Sequence, residues 1–175
     1  MRPPVNRGEG DTMKKIEREI VKLLSENARY SFKQIGDMLG EDEKTVEKTV
    51  EKLEKDGLIV KYTAILSEDA EKEGTVQALI EVKVAPQKLK GFDAYAESIC
   101  DFEEVQSLYL MSGGFDLAVF IKAASLADVA KFVSSKLSVI DGIVGVQTHF
   151  ILKKYKIEGQ TTKISEDGER QIIQA

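Results

Sequence analysis

Residues 41–66 read EDEKTVEKTVEKLEKDGLIVKYTAIL, and few folds accept such a stretch. Val46, Val50 and Leu53 recur at helical spacing on one side, while Lys44, Lys48 and Lys52 recur four apart on another. Asp42 is a suitable N-cap for a helix over residues 43–56, and Gly57 a suitable stop. From residue 58 to 66 the pattern turns β-rich, with Ile59, Val60, Tyr62 and Ile65, and predicts a strand. A charged helix that halts at glycine and passes into a strand is how small DNA-reading modules often end.

The residues upstream supply the two helices such a module needs. Ile16, Ile20, Leu23 and Leu24 mark one face of a helix over residues 14–26. Ser31 with Gln34 three residues on makes a capping box for a helix over residues 32–39, with Ile35 and Leu39 inward and Gly40 closing it. Residues 13–62 therefore predict a helix-turn-helix DNA-binding domain, winged-helix-like or plain. Residues 1–12, MRPPVNRGEGDT, show no apolar period and are expected to be either a disordered leader or an overlong start, with Met13 the expected beginning.

After a polar, acidic linker over residues 63–74 the pattern changes. Val76, Ala78, Ile80, Val82 and Val84 alternate as a strand does. Pro86 is expected to open a helix reaching Cys100, with Phe92, Tyr95, Ala96 and Ile99 buried. Strands follow at residues 105–111 and 117–122, joined by Ser112-Gly113-Gly114-Phe115-Asp116. A helix at residues 125–137 should bury Leu126, Val129, Phe132 and Val133, and a last strand covers residues 143–154. Residues 75–155 thus predict a ferredoxin-like βαββαβ layout, giving the chain an α+β class. Its uncovered sheet face should meet a partner, with Tyr109, Leu110, Phe120 and Phe150 as candidates. Residues 156–175 read as a polar tail with a short strand at 171–173.

Composition excludes several functions. One cysteine, Cys100, and one histidine, His149, leave no disulfide framework and no Cys/His zinc site, so neither metal nor cofactor is expected. Neither residue has a partner that would make a nucleophile–base pair; Cys100 reads as a small buried hydrophobe and His149 as a packed strand residue. No apolar run approaches the roughly 18 residues of a membrane span. A cytoplasmic protein without a membrane partner is expected. Residues 13–62 hold 11 basic and 11 acidic groups, whereas residues 63–155 hold 9 basic and 13 acidic, so the acidity lies away from the candidate DNA-binding module.

The candidate DNA-contacting residues are Lys44, Thr45, Lys48, Thr49 and Lys52. Lysines meet phosphate or guanine, and threonines meet phosphate or thymine methyls. The plainer alternative is a solvated helix laced by Lys44–Glu47 and Lys48–Glu51 pairs. Gly113 and Gly114 likewise have two readings. They make a hairpin with Asp116 capping it, or they let backbone N–H groups approach a ligand carboxylate while Asp116 takes its ammonium.

The segments LEKDGLIVKYTAIL (residues 53–66), SGGFDLAV (residues 112–119) and GVQTHFILKKYK (residues 145–156), in this order and spacing, resemble the Lrp/AsnC or feast/famine transcription regulators. The resemblance spans residues 14–156. It implies a homodimer formed through the C-terminal (RAM, ACT-like) domains, often assembled into octamers. It also implies an amino-acid effector held near the glycine loop by Met111, Ser112, Gly113, Gly114, Asp116 and Thr148. Two features depart from the family's pattern: residues 30–169 contain no arginine, and the last strand carries Val146-Gln147-Thr148 where the family often has a Thr-x-Thr pair. Weak, steeply salt-dependent binding of double-stranded DNA per dimer is then expected, with oligomers supplying avidity. A second reading is a sensing or scaffold protein of similar build with little DNA affinity. An enzyme of related architecture, siroheme decarboxylase, would need basic and histidine residues for its polyanionic substrate, and this chain has one histidine and no arginine over residues 30–169.

Overall fold

The computed structural model describes residues 13–66, 70, 74–85 and 91–162, which divide into two compact units between Ala64 and Ile65. The leader, the Pro86 helix start, part of the 63–74 linker and the 171–173 strand lie outside the described residues.

The first unit is three helices: α1 (Lys15–Glu26), α2 (Phe32–Leu39) and α3 (Glu43–Lys55). Their apolar stripes meet in one core of Ile20, Ile35, Val46, Val50 and Leu53. Each helix end is set locally. Ser31 Oγ accepts the Gln34 N–H at 3.2 Å while the Ser31 N–H donates to Gln34 Oε1 at 2.9 Å, closing the capping box before α2. Gly40 ends α2 in the left-handed region at φ 72°. Asp42 Oδ1 accepts the Thr45 N–H at 3.0 Å and so starts α3. Past Gly57, the Leu58 and Ile59 N–H groups both donate to Leu53 O, at 2.9 and 3.1 Å. The turn between α2 and α3 is tight, because a methyl group on Gly36 would stand 2.6 Å from Glu41 O.

The strand expected over residues 58–66 does not form a ladder. Ile59 packs on the helical core, but Leu58, Val60, Tyr62, Ile65 and Leu66 are exposed. The alternation is real; no second strand of the first unit pairs with it among the described residues. Among the described residues the first unit is three helices without a paired wing strand.

The second unit runs β1 (Val76–Val84), α4 (Phe92–Cys100), β2 (Val105–Leu110), β3 (Leu117–Ala123), α5 (Leu126–Phe132), a π-helical continuation over Val133–Leu137, and β4 (Ile143–Phe150). The sheet is antiparallel with order β2-β3-β1-β4. Ala78, Ile80 and Val82 stand opposite Ile121, Val119 and Leu117, and this face meets Tyr95, Ile99, Val129, Phe132 and Leu137 from the helices. Both helices therefore cover one side of the sheet, as the βαββαβ order predicts.

Several local expectations need correction. The helix before Cys100 begins at Phe92 with Gly91 as its N-cap. Phe92 and Leu126 are 44% and 57% exposed, since each opens its helix ahead of the turn that lies on the sheet. Cys100 is exposed at the end of α4. The last strand stops at Phe150. Part of the supposed tail folds as a small hairpin, β5 (Lys156–Ile157) with β6 (Gln160–Thr161), turned by Glu158 and Gly159. Register also sorts the four candidates for the open face. Tyr109 stands opposite Ala118 and Phe120 opposite Leu79, on the side away from the helices. Leu110 and Phe150 stand opposite Leu117 and Ala78, on the helix side.

Candidate functional site

In the first unit, α3 buries Val46, Val50 and Leu53 and turns its charged residues outward. Lys44 and Lys48 are exposed, and Thr45 and Thr49 half-buried beside them. The Thr49 hydroxyl donates to Thr45 O at 2.7 Å, and the Thr45 hydroxyl donates to Asp42, so each keeps an oxygen able to accept. That bond and the Thr45 backbone N–H hold the Asp42 carboxyl below the usual carboxylate range.

Thr45, Lys48, Thr49 and Lys52 line an open cleft of about 330 Å³ with Lys14, Ile16 and Glu17 of the α1 end. Lys44 lies outside it. The structure thus brings four of the five sequence-predicted DNA residues together. It also separates them chemically, because Lys52 Nζ donates to Glu17 Oε1 at 3.0 Å. Glu17 Oε2 accepts the Lys14 backbone N–H at 2.8 Å. These two bonds, that from Lys52 first, hold Glu17 below the usual carboxylate range. The Lys44–Glu47 and Lys48–Glu51 pairs of the plainer alternative are not among the ion pairs of the described residues.

Glu17 escaped sequence reasoning. Its signal was faint: a glutamate three residues before the buried Ile20, hence on the margin of the apolar stripe, with Lys52 similarly placed beside Leu53. Tyr62 was read only as a strand residue. Its hydroxyl donates to Glu54 Oε1 at 2.8 Å, and desolvation with the Glu54 charge pushes the phenol up to about 12.

In the second unit, the link between β2 and β3 is held at its base. Met111 N–H donates to Asp116 O at 2.8 Å, Asp116 N–H to Val82 O at 3.0 Å, and Val84 N–H to Asp116 Oδ2 at 2.8 Å. Asp116 is therefore the fastener that ties the loop to the end of β1. Ser112, Gly113 and Gly114 are exposed. Neither glycine has a positive φ, and a Cβ on either would meet nothing within 4 Å. Among the described residues nothing requires glycine at these two positions. Thr148 stands opposite Ile80 on β4, whereas Asp116 precedes β3. β1 lies between those strands, which puts Thr148 roughly two strand spacings, about 10 Å, from the loop's side of the sheet. The structure unites residues 111–116 and does not bring Thr148 to them.

On the open face His149 Nε2 lies 3.2 Å from Glu81 Oε1, without hydrogen-bond alignment. Tyr109 and Phe120 pack edge to face there at 5.9 Å. On the helix side Lys136 meets Glu104 at 2.6 Å and holds that carboxyl below its usual range, a brace within the fold.

Comparison with known proteins agrees with this two-part build. The family model for the AsnC-type helix-turn-helix domain matches residues 13–54, and that for the Lrp/AsnC ligand binding domain matches residues 77–161. The chain is 43% identical over 158 residues to the uncharacterized HTH-type transcriptional regulator YugG of Bacillus subtilis (strain 168), covering 90% of this chain and 95% of that one. It is 36% identical over 138 residues to the HTH-type transcriptional regulator LrpA of Pyrococcus horikoshii, covering 78% of this chain and 94% of that one. Among solved structures, the complex of transcriptional regulator NMB0573 with L-Met from Neisseria meningitidis aligns with a TM-score of 0.64 at 26% identity, over 86% of this chain and 95% of that one. A helix-turn-helix with an exposed lysine face, a four-stranded ligand-binding domain later in the sequence, and relatives matched nearly end to end make one conclusion: the chain belongs to the Lrp/AsnC family of HTH-type transcriptional regulators.

Proposed function

We propose that this regulator docks α3 on double-stranded DNA and that an amino acid, bound at the loop over residues 111–116, changes its assembly and hence its DNA binding. The observation that carries the DNA reading is the outward face of α3. Lys44 and Lys48 stand exposed there, with Thr45 and Thr49 beside them and no apolar residue of the stripe among them. Lysine meets phosphate as a point charge without arginine's fixed fork, so affinity comes largely from counterion release. The neutral balance of residues 13–62 keeps that contribution modest, and a homodimer or larger homo-oligomer adds avidity. The ligand class is an amino acid, with methionine the first to test, because a fold neighbour holds L-Met. The bare backbone of Gly113 and Gly114 offers N–H groups to its carboxylate, and an effector at a subunit junction favours whichever packing it fits better. The protein acts in the cytoplasm and has no catalytic role.

The test is the salt dependence of DNA binding, read by fluorescence anisotropy on genomic fragments. Replacing both Lys44 and Lys48 by alanine should lower the slope of log K against log salt by roughly 1.8 for each docked subunit, about 0.9 for each lost phosphate contact. A double variant with the parental slope would show that α3 does not read the duplex.

A further inference from the structure

Glu17 is the one charged residue buried among the described residues, at 6% exposure. A carboxylate withdrawn from water needs a compensating charge and hydrogen bonds to both oxygens. Here each oxygen has its own donor, and the two donors come from different places. Oε2 takes the backbone N–H at the start of α1, and Oε1 takes the Lys52 ammonium from the last turn of α3. The same side chain thus fixes where α1 begins and pins α3 to it.

This arrangement removes a charge from the lysine stripe. For Lys52 to serve a phosphate it would have to leave Glu17, uncovering a buried carboxylate beside an anion. A lysine already neutralised at 3.0 Å by a carboxylate also releases little counterion when DNA arrives. We infer that Glu17 is a positioning residue that withdraws Lys52 from the DNA-facing set and latches α3 to α1, leaving Lys14 and Lys48 as the cations that the cleft presents to the duplex. The inference rests on the DNA reading above for its consequence, but the latch itself does not.

Two measurements on the full chain test it. In the first, Glu17→Gln removes the carboxylate that neutralises Lys52 and should steepen the salt slope of DNA binding by about 0.9 for each docked subunit, one phosphate contact. The double variant Glu17→Gln with Lys52→Met should return to the parental slope. A Glu17→Gln slope equal to the parent, or a double variant falling one contact below it, overturns the proposal, because Lys52 would then be a phosphate contact in the native protein. In the second, Tm is measured for Glu17→Gln, Lys52→Met and the double variant. The latch predicts that each single change lowers Tm and that the double loses less than the sum. Additive losses overturn the latch whatever DNA does. If the parental protein shows no salt-dependent binding, the DNA reading fails, and the Tm cycle alone decides on the latch.

Discussion

At Gly36 two opposing effects can be weighed. Replacing a helical glycine by alanine ordinarily gains about 0.5–1 kcal/mol, because the unfolded chain loses freedom. Here the added methyl meets the Glu41 carbonyl oxygen at 2.6 Å, and that oxygen belongs to the turn that aims α3. A backbone atom cannot swing aside as a side-chain tip does, so the crowding wins. Gly36→Ala should lower stability by about 1–3 kcal/mol, read from the urea midpoint at constant m. A midpoint equal to or above the parent would mean that the turn has slack. The pH behaviour of Glu17 follows from its lowered titration. Its contribution is present above the usual carboxylate range and is lost as pH falls through the depressed value, when the protonated acid no longer holds Lys52.

The elements were legible in the sequence where a local signal sufficed. The Ser31–Gln34 box, the Asp42 cap and Gly40 placed α2 and α3 to within a residue, because capping is chemistry between near neighbours. The alternation from Val76 to Val84 placed β1 and its buried face. What failed depended on residues far away in the chain. Residues 58–66 carry strand composition, yet a strand needs a partner and composition names none. Glu17 and Lys52 are 35 residues apart, so no window of the sequence holds both. The loop over residues 112–116 was read as either hairpin or ligand site, and the structure shows the bonds of the hairpin at Asp116. Asp116 fastens the loop, while no contact or backbone angle among the described residues calls for glycine at Gly113 or Gly114. Hence Gly114→Ala should leave Tm within about a degree of the parent, or raise it slightly. It should also weaken the thermal shift produced by the responding amino acid in a screen of free amino acids. A variant that keeps the full amino-acid shift would remove the glycine loop from effector binding.

For the whole molecule the open face of the sheet decides most. Tyr109 and Phe120 form an aromatic pair there beside Leu79, with Glu81 and His149 on the same side. The helices cover only the other face, where the core of the second unit is complete. An aromatic centre rimmed by charge has the anatomy of a protein interface, and a second copy of the chain is the partner that the family resemblance implies. Glutamate at the centre of such a face would have to give up its hydration on association and would stand near Glu81, so the association should fail. Phe120→Glu should reduce the mass measured by light scattering from a multiple of 19.4 kDa to about that of one chain. DNA affinity should fall by about 10²–10⁴ as two linked contacts become one. Tyr109→Glu provides the control for misfolding, because Tyr109 is already 53% exposed and its replacement leaves the core untouched. If both variants are folded by circular dichroism and keep the parental mass, the subunits meet elsewhere, and the coupling of amino acid to DNA must be sought in another surface.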